Sequence, residues 1–131
     1  MTAAEIRAIP LFAGVSDAGV ERIAACAAEM DGETGQVLAL QGDPGSGMFV
    51  ILDGTVSVEM RGGFHTELGT GNFFGEIALL VPDSGRVARV RAATKVKCLS
   101  IPRADVIALV ESEPSLALAM LRELARRLSN A

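Results

Sequence analysis

Hydrophobic side chains recur at helical spacing near the start of the chain. Residues 3–9 and 18–29 each place apolar side chains on one face, as an amphipathic helix does. Pro10 ends the first segment, because a proline disfavours helical geometry in the residue before it. Ser16 and Asp17 stand before the second segment and can cap its N-terminus. The pattern therefore predicts two N-terminal helices.

From Glu33 onward the pattern changes to short apolar runs separated by glycines. The runs are rich in Val, Ile and Phe, and such runs between glycine turns are typical of an all-β sandwich or barrel. We predict strands at residues 36–41, 48–52, 55–60, 65–68, 87–92 and 96–101.

Helical spacing returns after Pro102, which ends the series of predicted strands. Residues 103–111 predict one helix and residues 115–128 another. The two are separate because Pro114 disfavours helix at Glu113.

The last predicted helix carries apolar residues at heptad spacing, at Ala117, Leu121, Leu124 and Leu128. Its opposite face carries charged residues, namely Arg122, Arg126 and the Glu123–Arg127 pair spaced i,i+4. Two heptads are too few to distinguish a coiled coil from a helix packed on its own domain, so both interpretations stay open.

The chain has 131 residues, which suits a single domain with a substantial core. We divide this domain into N-terminal helices (1–30), a β region (31–102) and C-terminal helices (103–131). Half of the residues are apolar, but no apolar run approaches the length of a membrane span. The first residues lack the basic start and apolar stretch of a signal peptide, so we expect a cytoplasmic protein.

A net charge of −4 argues against a general surface for nucleic acid or anionic membrane. A site for an anionic ligand would therefore need local positive charge. Arg86, Arg89 and Arg91 are the candidates for it.

The sequence offers no support for a catalytic or metal site. Cys26 and Cys98 have neither metal-binding spacing nor a histidine nearby, and we interpret both as buried free thiols. His65 is the only histidine, so the chain cannot assemble the several histidines of a metal-binding jelly-roll enzyme such as a cupin. We expect no enzyme activity and no bound metal.

One segment combines residues suited to a small ligand with hydroxyls and a phosphate. Gly75 lets the backbone approach a ligand closely because it has no Cβ. Glu76 can accept hydrogen bonds from sugar hydroxyls, and Arg86 offers a fork of donors that matches phosphate oxygens. A buried Glu–Arg pair that merely closes a loop is the alternative.

The same segment resembles the phosphate-binding cassette of the cyclic nucleotide-binding domain family. Its residues 73–80 read FFGEIALL and residues 86–88 read RVA, close to the family pattern of F-G-E-(I/L/M)-A-L-L followed by R-(A/S/T)-A. Two further family signatures lie upstream, GDPGSGMFVILDG at residues 42–54 and LGTGNFF at residues 68–74. The resemblance runs from about Ile9 to about Leu128.

The resemblance implies a mainly β fold with flanking helices. This fold is an eight-stranded jelly roll, or double-stranded β-helix, with N-terminal helices, a short cassette helix and two C-terminal helices. It also implies roles for the residues of the cassette, which covers residues 73–88. Glu76 would bind the ribose 2′-hydroxyl and Arg86 the cyclic phosphate. Other ligand-binding positions would be Phe74, Gly75, Ile77, Ala78, Val87 and Ala88. Arg126 or Arg127 of the last helix could cap the base, although a solvated charge is the simpler interpretation of each.

The resemblance further implies a regulatory sensor that couples ligand binding to movement of its C-terminal helices. Val87 stands where the family usually has Ala, Ser or Thr. It lacks the hydroxyl that reaches a guanine amino group, so we expect cAMP as the ligand and regard cGMP as the weaker candidate. The effector is unknown. No helix-turn-helix, channel or kinase sequence follows the last helix, so we expect action on a partner in trans or a domain taken from a longer protein.

A second hypothesis stays open beside the sensor. Val87 and the heptad leucines would also suit a degenerate jelly-roll module that binds no nucleotide and serves in dimerisation or protein contact. A homodimer through the C-terminal helix is compatible with both hypotheses.

Overall fold

In the part of the chain that the structure describes, eight strands in two antiparallel sheets form the centre of the fold. The computed structural model describes residues 1–39, 47–60, 63, 65–81 and 88–130. Within this part of the chain the strands are β1 (Ala28–Gly32), β2 (Val37–Ala39), β3 (Gly47–Asp53), β4 (Val56–Met60), β5 (His65–Leu68), β6 (Phe73–Phe74), β7 (Ala88–Ala92) and β8 (Val96–Pro102). One sheet has the order β1-β8-β3-β6 and the other β2-β7-β4-β5.

Helices flank these sheets at both ends of the chain and at the cassette. They are α1 (Ala3–Arg7), α2 (Asp17–Cys26), α3 (Glu76–Leu80), α4 (Arg103–Ser112) and α5 (Pro114–Ser129), with a 3-10 turn at Pro10–Phe12. The mainly β fold with flanking helices and a short cassette helix, expected from the resemblance, is confirmed. No helix among the described residues is both long and apolar enough to cross a membrane.

Two strands were not expected from the sequence. The predicted helix to Glu29 is too long, because α2 ends at Cys26 and β1 begins at Ala28. β1 is an edge strand with mostly exposed side chains, so its apolar alternation is weak. β6 has only two residues, which is too short for any periodic signal.

The sheet that contains β3 and β8 is buried on both faces. One face packs against the helices through a cluster that includes Met48, Val50, Leu99 and Ile101 together with helix residues such as Leu116. The other face packs against the second sheet through a cluster that includes Phe49, Ile51, Phe74, Val90 and Cys98. Because side chains alternate along a strand, neighbouring residues of β3 belong to different clusters. This double burial explains the continuous apolar run of β3.

Glu113 holds the break between α4 and α5 against the start of α2. Its carboxylate accepts hydrogen bonds from the Ser16 backbone N–H and from the Ser16 hydroxyl, both at 2.7 Å. The same hydroxyl accepts the Gly19 N–H at 3.1 Å and so caps α2. A Cβ on Gly19 would lie 2.9 Å from the Glu113 carboxyl carbon, so only glycine allows this approach. These hydrogen bonds lower the pKa of Glu113. The hydrogen bond from the Ser16 backbone makes the largest contribution to this shift.

The buried face of α5 differs from the heptad stripe in the sequence. Leu116 and Met120 are the buried residues of this helix, and Leu124 packs partly against the same cluster. In contrast, Leu121 is 64% exposed and Leu128 is 78% exposed. The expectation that the Glu123–Arg127 pair lies opposite the packed face is wrong, since both side chains are mostly buried.

Candidate functional site

Strand β6 delivers two adjacent phenylalanines to opposite sides of its sheet. Phe73 belongs to the cluster under the helices, and Phe74 to the cluster between the sheets. The Phe74 ring stacks on Phe49 with centroids 5.0 Å apart and planes 17° apart. Strand pairing with β3 through Phe49 and Val50 fixes both phenylalanines. The residue that follows, Gly75, is therefore held at a defined place beside both clusters.

Gly75 turns the chain from β6 into the cassette helix α3. Its backbone has φ 92° and ψ −1°, a left-handed conformation that side chains disfavour. Glu76 is the first residue of α3, and it is only 5% exposed. Burial of a carboxylate is costly unless donors compensate it. A residue of α5 supplies such a donor to Glu76.

Arg127 of α5 is this donor, and it binds the cassette through several groups. One guanidinium nitrogen, Nη1, lies 3.2 Å from Oε1 of Glu76. The other, Nη2, donates to Oδ1 of Asn72 at 2.7 Å and to the carbonyl oxygen of Phe73 at 2.6 Å. Nε donates to Oε2 of Glu123 at 2.9 Å, and the guanidinium carbon lies 4.7 Å from the centroid of the Phe73 ring.

These contacts join three parts of the chain that are far apart in sequence. Asn72 lies directly before β6 and Phe73 begins it, Glu76 opens the cassette helix, and Arg127 lies near the end of α5. Asn72 Oδ1 also accepts the Phe73 N–H at 3.2 Å, which fixes the amide group. Sequence reasoning identified Arg127 as a candidate cap for a base and as the i,i+4 partner of Glu123, a pair that the structure contains, but it gave Asn72 no role. The separation of 51 residues between Glu76 and Arg127 leaves no local signal for this pairing.

The two candidate base caps differ in their surroundings. Arg127 could stack on a base only by leaving Glu76, Asn72 and the Phe73 carbonyl. Arg126 is 67% exposed along its side chain and pairs with Glu123 one helical turn back. Of the two, Arg126 has the side chain that can turn toward a ligand without breaking contacts to the cassette.

Arg89 and Arg91, from which we expected positive charge for an anionic ligand, both pair with Glu59. Both lie on the face of β7 opposite to the buried Val90. Arg89 binds Oε2 of Glu59 through Nε at 3.0 Å and Nη2 at 2.6 Å, and Arg91 donates to the Gly35 carbonyl at 2.7 Å. Hydrogen bonds from Arg89 lower the pKa of Glu59. The expectation that these two arginines supply positive charge for the ligand site stays a prediction, and within the described residues both are engaged by Glu59 or the Gly35 carbonyl.

The remaining predicted site residues are placed only in part. Ile77 and Ala78 lie in α3, and Ile77 is half-buried. Ala88 begins β7, opposite Met60 of β4, and is half-buried. Arg86, Val87 and the loop before them lie outside the described residues, as do residues 42–46 of the upstream signature.

The cysteines and the histidine form no reactive group in the described part of the chain. Cys98 is fully buried between the sheets, and burial raises the pKa of its thiol to about 11. His65 is exposed on β5. No group of three or more His, Cys, Asp or Glu residues that could hold a metal occurs among the residues described.

Comparison with known proteins identifies relatives of this chain by sequence and by fold. The profile of the family described as "Cyclic nucleotide-binding domain" matches residues 31–113. A cyclic nucleotide-gated potassium channel of Rhizobium etli is 38% identical over 112 residues, which cover 86% of this chain and 31% of the channel. The chain thus spans less than a third of that relative.

Solved structures give the same result. The Catabolite Activator Protein of Thermus thermophilus is 31% identical with a TM-score of 0.71, over 92% of this chain and 59% of that one. The sensor domain of the transcriptional regulator DNR from Pseudomonas aeruginosa has a TM-score of 0.81 over 97% of this chain and 93% of that one. At 19% identity, it supports the fold alone. The profile match covers well over half of the sequence and includes the cassette. This chain belongs to the cyclic nucleotide-binding domain family.

Proposed function

We propose that this domain is a regulatory sensor that binds cAMP in preference to cGMP and is not itself an enzyme. The observation that carries this proposal is the buried carboxylate of Glu76, held at the start of α3 directly after left-handed Gly75. A carboxylate in this position is suited to accept hydrogen bonds from the hydroxyl groups of a sugar. The family membership supports a cyclic nucleotide as the source of that sugar.

In the proposed site, different cassette residues bind the ribose and the phosphate of the ligand. Glu76 accepts the ribose 2′-hydroxyl, and Arg86 binds the cyclic phosphate with a charge-assisted fork of hydrogen bonds. Backbone N–H groups of Gly75, Ile77 and Ala78 add donors near the sugar and phosphate. Ala88 leaves room for a phosphate oxygen because its side chain is small, and Phe74 closes the inner side of the site against the second sheet.

Fewer groups would contact the base than contact the sugar and phosphate. Val87 has no hydroxyl and so cannot pair with the 2-amino group of guanine, which favours adenine. Arg126 is our candidate for the residue that covers the base, because its side chain is exposed. Movement of α4 and α5 would carry the signal to an effector, which is either a partner protein or another part of a longer chain. A ligand moves these helices only if it binds their two arrangements with unequal affinity.

Isothermal titration calorimetry with cAMP and with cGMP tests this function. Wild-type protein should bind both nucleotides, cAMP more tightly, and Arg86→Ala should lose most of the binding. Truncating one partner of such a charged contact costs about 2–5 kcal/mol, or roughly 30- to 4,000-fold in affinity. Arg122→Ala, which changes an exposed arginine of α5, is the control that should bind as wild type does. Equal affinities in wild type and Arg86→Ala would contradict the site.

A second candidate function has its own observation. Leu118, Leu121 and Leu128 are exposed on α5, at 45%, 64% and 78%. Such side chains suit a module that binds no nucleotide and contacts a protein, including a second copy of itself. The absence of heat with either nucleotide, together with self-association, would favour this function.

A further inference from the structure

The guanidinium of Arg127 is almost fully used by contacts within the protein. Its three nitrogens make four hydrogen bonds, to Glu76, Asn72, Phe73 and Glu123, and its central carbon lies over the Phe73 ring. An arginine has five N–H donors, so this set leaves at most one for another partner. The side chain is only 22% exposed. Arg127 is therefore packed against the cassette and is not a free, solvent-exposed donor for a ligand.

The contact with Glu76 has an electrostatic consequence for an anionic ligand. The Glu76 side chain is 6% exposed, so water screens its negative charge weakly. A cyclic phosphate carries a negative charge and would have to bind near this carboxylate. Arg127 places a positive charge 3.2 Å from the Glu76 oxygen and reduces the repulsion that the phosphate would meet. It also keeps that oxygen at a fixed position relative to the β6–α3 turn.

We propose that Arg127 is a charge-compensating positioning residue of the nucleotide site, and that it stays on Glu76 when the nucleotide binds. This inference rests on the proposed function, because it concerns the affinity for an anionic ligand. The rival interpretation is a latch, in which Arg127 occupies Glu76 and must leave before the sugar can bind. The two interpretations predict opposite effects of removing the side chain.

The bonds to Asn72 and Phe73 favour the positioning role. They are shorter, at 2.7 and 2.6 Å, than the contact with Glu76 at 3.2 Å, and they anchor Arg127 independently of the carboxylate. A sugar hydroxyl could therefore share Glu76 while Arg127 keeps its hold on the turn. Glu123, whose side chain is 12% exposed, compensates the arginine in turn. Position and charge are thus fixed before any ligand arrives.

A double-mutant cycle in calorimetry with cAMP tests the inference. The variants are Arg127→Ala, Glu76→Gln and the double variant, with Arg122→Ala as the control on the same helix. Gln at position 76 keeps an acceptor oxygen and removes the charge. Arg127→Ala should weaken binding by about 10- to 100-fold, the effect of one nearby charge in a poorly screened site. Glu76→Gln should weaken binding in wild type but restore part of it in the Arg127→Ala background.

Each result has a definite meaning. Tighter or unchanged binding by Arg127→Ala would overturn the inference, and tighter binding would establish the latch. Weaker binding that Glu76→Gln does not restore would also overturn it, because the role would then be structural only. Arg127→Lys, which keeps the charge without the fork, should retain more affinity than Arg127→Ala and guards against a folding defect in the alanine variant. Failure of the proposed function is separate, since wild type would then bind neither nucleotide.

Discussion

At the scale of single residues, the site depends on side chains that alternate between two cores. Phe73 and Phe74 are neighbours in sequence but lie under the helices and between the sheets respectively. In the proposed site Phe74 would form the inner wall, whereas the Phe73 ring contacts Arg127 of α5. Any shift of β6 by one residue would exchange the two roles and displace Glu76. The short pairing of β6 with β3 therefore matters more than its length suggests.

We expect the choice of base to depend on single residues as well. cAMP and cGMP share the ribose and phosphate, so selectivity must come from contacts with the base. An unpaired buried donor costs about 1–3 kcal/mol, and Val87 cannot pair the guanine amino group. We expect wild type to prefer cAMP by about tenfold or more. Val87→Thr should narrow this ratio by improving cGMP binding, as measured by competition between the two nucleotides.

Val87→Ala is the matched control for that substitution, because it removes the bulk of valine without adding a hydroxyl. It should leave the preference for cAMP in place. The argument from Val87 would be refuted if wild type preferred cGMP, or if Val87→Thr did not change the ratio of the affinities for cAMP and cGMP. The proposed contacts of Glu76 and Arg86 would not be affected by either result.

At the scale of elements, the break between α4 and α5 is tied to the N-terminal helices. Glu113 supplies the tie through Ser16, and Arg22 of α2 adds an ion pair with Asp105 of α4 at 3.0 Å. Leu116 and Met120 bury the first half of α5 in the helical cluster. The second half is held to the cassette by Arg127, with Leu124 partly packed against the helical cluster. The first half of α5 is thus held by the helical cluster, and the second half mainly by the cassette.

The Glu113 tie should make stability depend on pH. Its pKa in the folded protein lies below the ordinary value of 4.5, so the charged form stabilises the fold above that pH. This stabilisation is lost as the pH falls below about 4.5 and through the lower folded pKa. Glu113→Gln should therefore lower the melting temperature by a few degrees at pH 7, and its difference from wild type should shrink on acidification.

Thermal unfolding followed by circular dichroism between neutral and acid pH measures this difference. Glu111→Gln changes an exposed carboxylate of α4, two residues before Glu113, and serves as the control, with a melting temperature close to wild type. If the gap between Glu113→Gln and wild type stayed constant across the pH range, charge on Glu113 would have no part in the tie.

At the scale of the whole molecule, the sequence predicts the architecture better than the contacts. Short runs between glycines identify six of the eight strands described, and the apolar pattern is most regular in β3, β4 and β8. β1 escapes detection because it lies at an edge, and β6 because it has two residues. Glu76 is recognised from its motif, but its pairing with Arg127 depends on how α5 folds back across the β region. That is a property of the packing, which no local pattern encodes.

The exposed face of α5 leads to the last prediction. Leu118, Leu121 and Leu128 are exposed, and with exposed Ala125 they repeat at intervals of three, four and three residues. This spacing forms one straight apolar seam on a helix, and a second copy of the same helix is its natural complement. We therefore expect self-association through α5. A seam of four side chains is small beside the ~800 Å² per partner of a standard interface, so the association should be weak and concentration-dependent.

Sedimentation equilibrium of wild type should show a dimer that Leu121→Glu abolishes. Ala25→Glu, which adds the same charge on an exposed position of α2, should leave it intact. A wild-type protein that stays monomeric across the concentration range, or a Leu121→Glu variant that dimerises equally, would mean that another surface or none at all brings two copies together.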